Sequence, residues 1–215
     1  IQFAQTKKSL YNILIGVCIG AAILTKWLPA LIVLPIWLLI VMDTQKFKTM
    51  EIVFHFFILI TTCVLIIIPW QLYIYKSFPE EAAWESSFNF KHFTQVLENN
   101  GGPFYYYLNK IRINYGELIY LPLLWFLWQV FFKIKDKKIW ALLIWFFIPL
   151  LFFSLAKTKM QGYILFTCPV IFLITAAFYF MLTAYKANHK FRWFFNVLLF
   201  LLIALPIRYS IERVK

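Results

Sequence analysis

The chain has 215 residues, 63% hydrophobic and 21% aromatic against 14% charged, which leaves too little polar surface to cover a water-soluble domain of this size. A net charge of +12 would suggest nucleic acid in a soluble protein, but here lysines and arginines flank apolar runs, where they orient helices and meet anionic headgroups. Nucleic acid is therefore excluded as a partner, and the bilayer becomes part of the solvent.

A spanning helix needs about 20 apolar residues, and the chain supplies runs at residues 10–42, 52–69, 105–132, 139–155, 163–185 and 191–207. Period-two alternation, the mark of a membrane strand, is absent from stretches such as 31–41 and 198–205. The fold class predicted is all-α, a polytopic transmembrane bundle in which backbone groups pair within helices. As one helix the first run would be on the order of 50 Å long, well beyond a hydrocarbon core of about 30 Å. It must break, and Thr25, Lys26, Trp27 and Pro29 mark the place. The split gives about seven membrane segments.

Short basic connections hold Lys7, Lys8, Lys46, Lys48, Lys133, Lys135, Lys137, Lys138, Lys186, Lys190 and Arg192, eleven of the 21 basic residues. The positive-inside rule assigns that side to the cytoplasm. The opposite, outward side carries Lys26, Lys76, Lys91, Lys110, Arg112, Lys157, Lys159, Arg208, Arg213 and Lys215. Its longest connection, residues 70–103, reads as an outer-face loop within a single membrane portion covering 1–215; Trp84, Phe88, Phe90 and Phe93 suit an amphipathic surface segment with Glu80, Glu81 and Glu85 in water. Cys18, Cys63 and Cys168 lie in apolar runs, odd in number and scattered, and read as packing residues. His55 reads as packed or interfacial, and His189 as a turn residue. The chain opens on Ile1 with no signal-peptide layout, and is read as part of a longer protein.

Two outer-side features carry candidate chemistry. Lys26, Lys157 and Lys159 sit at tight connections with Thr25, Thr158, Gln161 and Tyr163 nearby, where a lipid phosphate offsets the cost of an ammonium at the hydrocarbon boundary. The competing reading for each lysine is simple snorkelling to the interface. The second feature is Asn99-Asn100-Gly101-Gly102-Pro103 followed by Phe104 and three tyrosines: glycines permit close backbone approach, and proline fits a helix start. An ordinary turn with an aromatic anchor is its bland counterpart.

Four phrases occur in order: Leu24-Thr25-Lys26; Glu85-Ser86-Ser87-Phe88-Asn89-Phe90-Lys91-His92-Phe93; Asn100-Gly101-Gly102-Pro103-Phe104-Tyr105-Tyr106-Tyr107; and Phe153 to Leu165 through Lys157-Thr158-Lys159-Met160-Gln161-Gly162-Tyr163. Together they resemble the later membrane portion of bacterial GT-C glycosyltransferases, near the dolichyl-phosphate-mannose protein mannosyltransferases and the lipid A aminoarabinose transferases. The resemblance implies sugar transfer from a polyprenyl-phosphate donor to a lipid, glycan or protein acceptor on the outer face of the bacterial inner membrane. It implies that Lys26, Lys157, Lys159 and Tyr163 face the donor phosphate. It further implies that Asn89, His92, Glu98, Asn100, Gly101, Gly102 and Tyr106 border the sugar or acceptor. The general base that the family places on its first outer loop is expected upstream of this chain. Where relatives place a histidine before the paired glycines this chain has Asn100, and an amide only donates and accepts hydrogen bonds. No metal ligand is assigned; a divalent metal finds no support in His92 and Glu98 alone. A transporter or flippase of a lipid-linked saccharide, or a structural membrane subunit, are the alternative readings.

Overall fold

The structure is a computed structural model that describes residues 1–26, 28–133, 136–186 and 192–214 and, within them, every side chain except those of Lys26, Leu28, Lys186, Arg213 and Val214. Trp27, Lys135, His189, Lys190 and Lys215 therefore lie outside the described residues, and so do the sequence readings that fall on them. Among the described residues there is no strand, and ten α-helices follow in order: α1 Gln2–Thr6, α2 Ser9–Lys26, α3 Val33–Asp43, α4 Thr49–Ser77, α5 Pro79–Thr94, α6 Tyr106–Tyr115, α7 Tyr120–Phe132, α8 Lys137–Leu155, α9 Cys168–Lys186 and α10 Arg192–Val214. Short 3-10 helices Leu28–Ile32, Glu117–Ile119 and Gln161–Thr167 precede α3, α7 and α9.

Among the described residues four helices are long and apolar enough to cross a membrane: Thr49–Ser77, Lys137–Leu155, Gln161–Tyr185 and Arg192–Glu212. Their flanks carry large exposed apolar groups such as Phe57, Phe180 and Phe200, exposed by 68%, 70% and 67%, as suits surfaces solvated by lipid. The expected break in the first run is present: two shorter apolar helices, Ser9–Thr25 and Pro29–Asp43, stand in place of one long one. The run at 105–132, expected as one segment, is instead two helices, Tyr106–Tyr115 and Glu117–Phe132, bent by 114°. Gly116 makes the bend, with φ 83° and ψ 161°, a conformation that a side chain resists. The seven expected segments thus become four full-length helices, a bent pair and two short helices.

Two compact units divide the chain, Ile1–Thr94 with Asp136–Pro149, and Gln95–Lys135 with Leu150–Lys215. In the first, α2 lies along α4 because Gly16 and Gly20 leave no side chain between them. A Cβ on Gly16 would stand 2.8 Å from the Leu59 carbonyl oxygen, and one on Gly20 2.8 Å from Ile66 Cβ. This small-xxx-small spacing lets van der Waals packing act where lipid removes the hydrophobic drive between helices. The spacing was readable in the sequence and escaped notice there. Ile19, Leu59 and Cys63 are buried beside it, as are Phe3 of α1 and Trp37 and Val41 of α3. Cys18, expected to pack, faces outward instead, because it lies on the face of α2 away from this contact.

Residues 70–77, read as the start of a loop, continue α4 past Pro69 to Ser77. Trp70 and Tyr73 support that last stretch, their rings 5.8 Å apart. Most of the remaining connection is α5, the expected surface segment, where Trp84 stacks on Phe88 at 4.9 Å. In the second unit α7 and α10 pack on α9, with Phe178, Leu182, Leu199 and Leu202 buried and Trp125 5.6 Å from Phe178.

Replacing Gly16 or Gly20 with Leu is expected to cost about 1–3 kcal/mol by overpacking, read as a lower midpoint of thermal unfolding in detergent. Gly162→Ala, whose Cβ meets nothing within 4 Å, should leave the midpoint unchanged. A Gly20→Leu protein that melts like the wild type would contradict the α2–α4 contact.

Candidate functional site

An α-helix leaves its last four carbonyls without intrahelical partners, and at the end of an apolar helix water is scarce. At the end of α8 a lysine side chain supplies the missing donors. The Lys159 amine donates to the carbonyls of Phe153 at 3.4 Å, Ser154 at 2.7 Å and Ala156 at 2.5 Å, and the residue is only 4% exposed. A cation at the negative end of the helix dipole adds to these bonds. Burial, and the like charge of Lys157, hold the Lys159 amine below the usual lysine range; the three carbonyl acceptors favour its charged form.

The same turn fastens the loop that follows α5. Thr158, fully buried, donates its hydroxyl proton to the Gln95 carbonyl at 2.8 Å and accepts the Leu97 N–H at 3.1 Å. The Lys159 N–H donates to the Asn100 carbonyl at 2.6 Å. Glu98 and Asn99 both adopt positive φ, 52° and 58°, so the loop turns sharply between its two anchors. Beyond it a Cβ on Gly102 would stand 2.8 Å from the Tyr106 ring, so only glycine lets that ring close on the backbone. The Tyr106 N–H then donates to the Pro103 carbonyl at 3.0 Å and starts α6.

On the other side of the turn, Phe153 anchors a ring cluster: Tyr163 at 4.8 Å, Phe166 at 6.2 Å and Tyr107 at 6.5 Å. Tyr163 is half-buried. Gln161 donates to Asn114 of α6 at 2.7 Å. Lys157, between Ala156 and the buried Thr158, is exposed and has neither a hydrogen bond nor an ion pair among the described residues.

Eight of the expected residues therefore lie in one unit around one turn: Glu98, Asn100, Gly101, Gly102, Tyr106, Lys157, Lys159 and Tyr163. Their orientations differ from expectation in one respect. Lys159, expected to face a phosphate, points its amine into the protein, because α8 needs the donors. Asn89 and His92 are half-buried on α5 in the other unit, where the His92 ring packs edge-on against Phe88 at 4.8 Å and its Nδ1 lies 3.0 Å from the Phe88 carbonyl oxygen. Lys26 ends α2 in that unit too, its side chain outside the described residues.

Sequence reading missed the clamp made by Thr158 and the buried Tyr107, whose hydroxyl has no hydrogen-bond partner among the described residues. A lysine four residues past the end of an apolar run was the available signal for the helix cap. Among the described residues no cluster of three or more His, Cys, Asp or Glu side chains is placed to hold a metal ion. A cavity of about 540 Å³ opens along α10, between Phe200 and Glu212, and contains none of the expected site residues.

Comparison with known proteins adds what the chain is similar to. A family model described as dolichyl-phosphate-mannose-protein mannosyltransferase matches residues 2–81. The undecaprenyl phosphate-alpha-4-amino-4-deoxy-L-arabinose arabinosyl transferase of Yersinia pestis is 32% identical over 182 residues, 81% of this chain and 31% of that protein. The chain is similar to part of these transferases. The transferase of the same name from Photorhabdus laumondii is 31% identical over 160 residues, 71% of this chain and 28% of its own length. That of Serratia proteamaculans is 29% identical over 176 residues, 77% of this chain and 30% of its own length. The chain thus spans about 30% of the length of the curated transferases it matches. A match covering 81% of the chain includes the turn after α8 wherever it begins. No solved structure matches.

The turn's architecture predicts opposite outcomes for adjacent residues. Lys159→Met should cost about 1.5–3 kcal/mol through the lost charge-assisted bonds, and Thr158→Val about 1–3 kcal/mol through the unpaired Leu97 N–H and Gln95 carbonyl. Lys157→Met should stay within about 0.5 kcal/mol of the wild type. Thermal unfolding of the purified protein in detergent checks all three.

Proposed function

We propose that the chain is the membrane scaffold and donor-phosphate face of a glycosyltransferase that moves a sugar from a polyprenyl-phosphate carrier to an acceptor on the outer face of the inner membrane. Kinship to transferases whose names specify an undecaprenyl phosphate-linked aminosugar supports the donor class. The observation that carries the site is the exposed, unpaired ammonium of Lys157 on a turn whose neighbours, Thr158 and Lys159, are spent on internal hydrogen bonds.

In this reading Lys157 meets the donor phosphate directly, through a charge-assisted hydrogen bond at the edge of the hydrocarbon, where such a bond is stronger than in water. Tyr163 offers its hydroxyl from the same turn. Lys159 acts as a positioning residue: it fixes the end of α8 so that Lys157 is presented in one place. The loop with Glu98, Asn100, Gly101, Gly102 and Tyr106 borders the sugar or acceptor. Glycosyl transfer also needs a base for the acceptor hydroxyl, a role assigned to no residue of this chain.

The test is donor binding by the purified protein in lipid nanodiscs. Lys157→Met keeps the apolar stem and removes the charge, and affinity should fall about ten- to hundredfold, the equivalent of one charge-assisted hydrogen bond. Thermal stability serves as the control. Unchanged affinity at unchanged stability would return Lys157 to the role of a snorkelling residue and remove the phosphate site.

A further inference from the structure

The end of the first unit opposite α5 gathers charge of one sign on a built surface. α1, the turn between α3 and α4, and the start of α8 meet there, bringing Lys7, Lys8, Lys46, Lys48, Lys137 and Lys138 together against Asp43, Glu51 and Asp136. Two of the six lysines are neutralised within the protein: Lys7 pairs with Glu51 at 3.1 Å and Lys138 with Asp43 at 2.9 Å. Lys46 donates to the Gln5 carbonyl at 3.0 Å, a neutral acceptor that leaves its charge uncompensated. Lys8, Lys48 and Lys137 have no ion-pair or side-chain hydrogen-bond partner among the described residues. The far end of α4 and the helix after it are different, with Glu80, Glu81 and Glu85 set against Lys76 and Lys91.

Orientation of a membrane protein requires only that lysines be present on one side. Here they are also held in place. Gln45 turns the chain with φ 53°. Glu51 accepts the Lys48 N–H at 2.8 Å, closing the start of α4. Phe47 packs on the buried Phe3 at 5.3 Å, and the Lys7 ammonium sits 4.7 Å over the Phe47 ring. The Asp43 carboxylate accepts the Lys137 N–H at 3.2 Å and ties the start of α8 to the same turn. Six ammonium groups against three carboxylates thus leave an excess of three positive charges at the end of apolar helices, on a scaffold that loses little side-chain and loop freedom when a ligand arrives.

We infer that this surface is a binding site for anionic phospholipid headgroups of the bilayer, separate from the turn after α8 and independent of any role in sugar transfer. The occupant is lipid because the charges ring the ends of membrane-embedded helices, where phosphodiester headgroups lie at the same depth as the ammonium groups.

The experiment measures lipid binding to the purified chain in neutral detergent, comparing phosphatidylglycerol with phosphatidylcholine, with soluble glycerol phosphate as a further arm. Phosphatidylglycerol should bind selectively, and Lys8→Gln/Lys48→Gln/Lys137→Gln should weaken it about fivefold per lysine, roughly a hundredfold in all, while weak phosphatidylcholine binding is unchanged. A control triple variant, Lys76→Gln/Lys91→Gln/Lys110→Gln, removes the same charge elsewhere and should retain most of the affinity. Equal binding of the two lipids by the wild type, an equal loss in the control variant, or glycerol phosphate competing at the same concentration as the lipid would each overturn the inference.

Discussion

Everything placed around the candidate site depends on one buried ammonium. Lys159 meets the free carbonyls at the end of α8, and those carbonyls have no other donor among the described residues, in a segment bounded by apolar helices on both sides. An unsatisfied carbonyl in such surroundings costs a few kcal/mol, and a buried unpaired ammonium costs more. Joined, the two liabilities cancel, and the chain leaves α8 in one conformation. That conformation puts Thr158 inside, where it clamps residues 95–97, and leaves Lys157 outside as the charge the turn can offer. The loop with Asn100 and the paired glycines is then a dependent structure, shaped by what the turn holds.

The first unit rests on a different solution to the same constraint. Lipid does not drive helices together, so close contact has to come from shape, and Gly16 and Gly20 bring α2 onto the backbone of α4. With that contact made, Asn12 is fully buried, and its side-chain amide donates to the His55 carbonyl at 2.6 Å. The backbone of another helix thus receives the Asn12 amide nitrogen, while its Oδ1 has no hydrogen-bond partner among the described residues.

The class of fold was open to sequence reading because composition and run length report directly on the solvent: a chain this apolar has to be helical and membrane-embedded. The break after Lys26 was legible for the same reason, since one helix of that length fits no bilayer. The bend at Gly116 was not, because hydropathy is continuous across 105–132 and a backbone dihedral leaves no trace in an apolar average. The structure gathers residues from two separate sequence features at the turn after α8, and their directions could not be read from the sequence. Two lysines separated by one residue look equivalent in sequence, and only the carbonyls at the end of α8 distinguish them. Lys26, Asn89 and His92 belong to the other unit.

The account's central claim is the division of labour between Lys157 and Lys159, and amine footprinting tests it most directly. The native protein in nanodiscs is exposed briefly to a small acylating reagent and the two lysines are quantified by mass spectrometry after digestion. Lys157 should be modified rapidly, and more slowly once the polyprenyl-phosphate donor is present. Lys159 should remain protected in both states until the protein is unfolded. Modification of Lys159 at the rate of Lys157 in the folded protein would contradict the buried cap, and with it the structure proposed for the site.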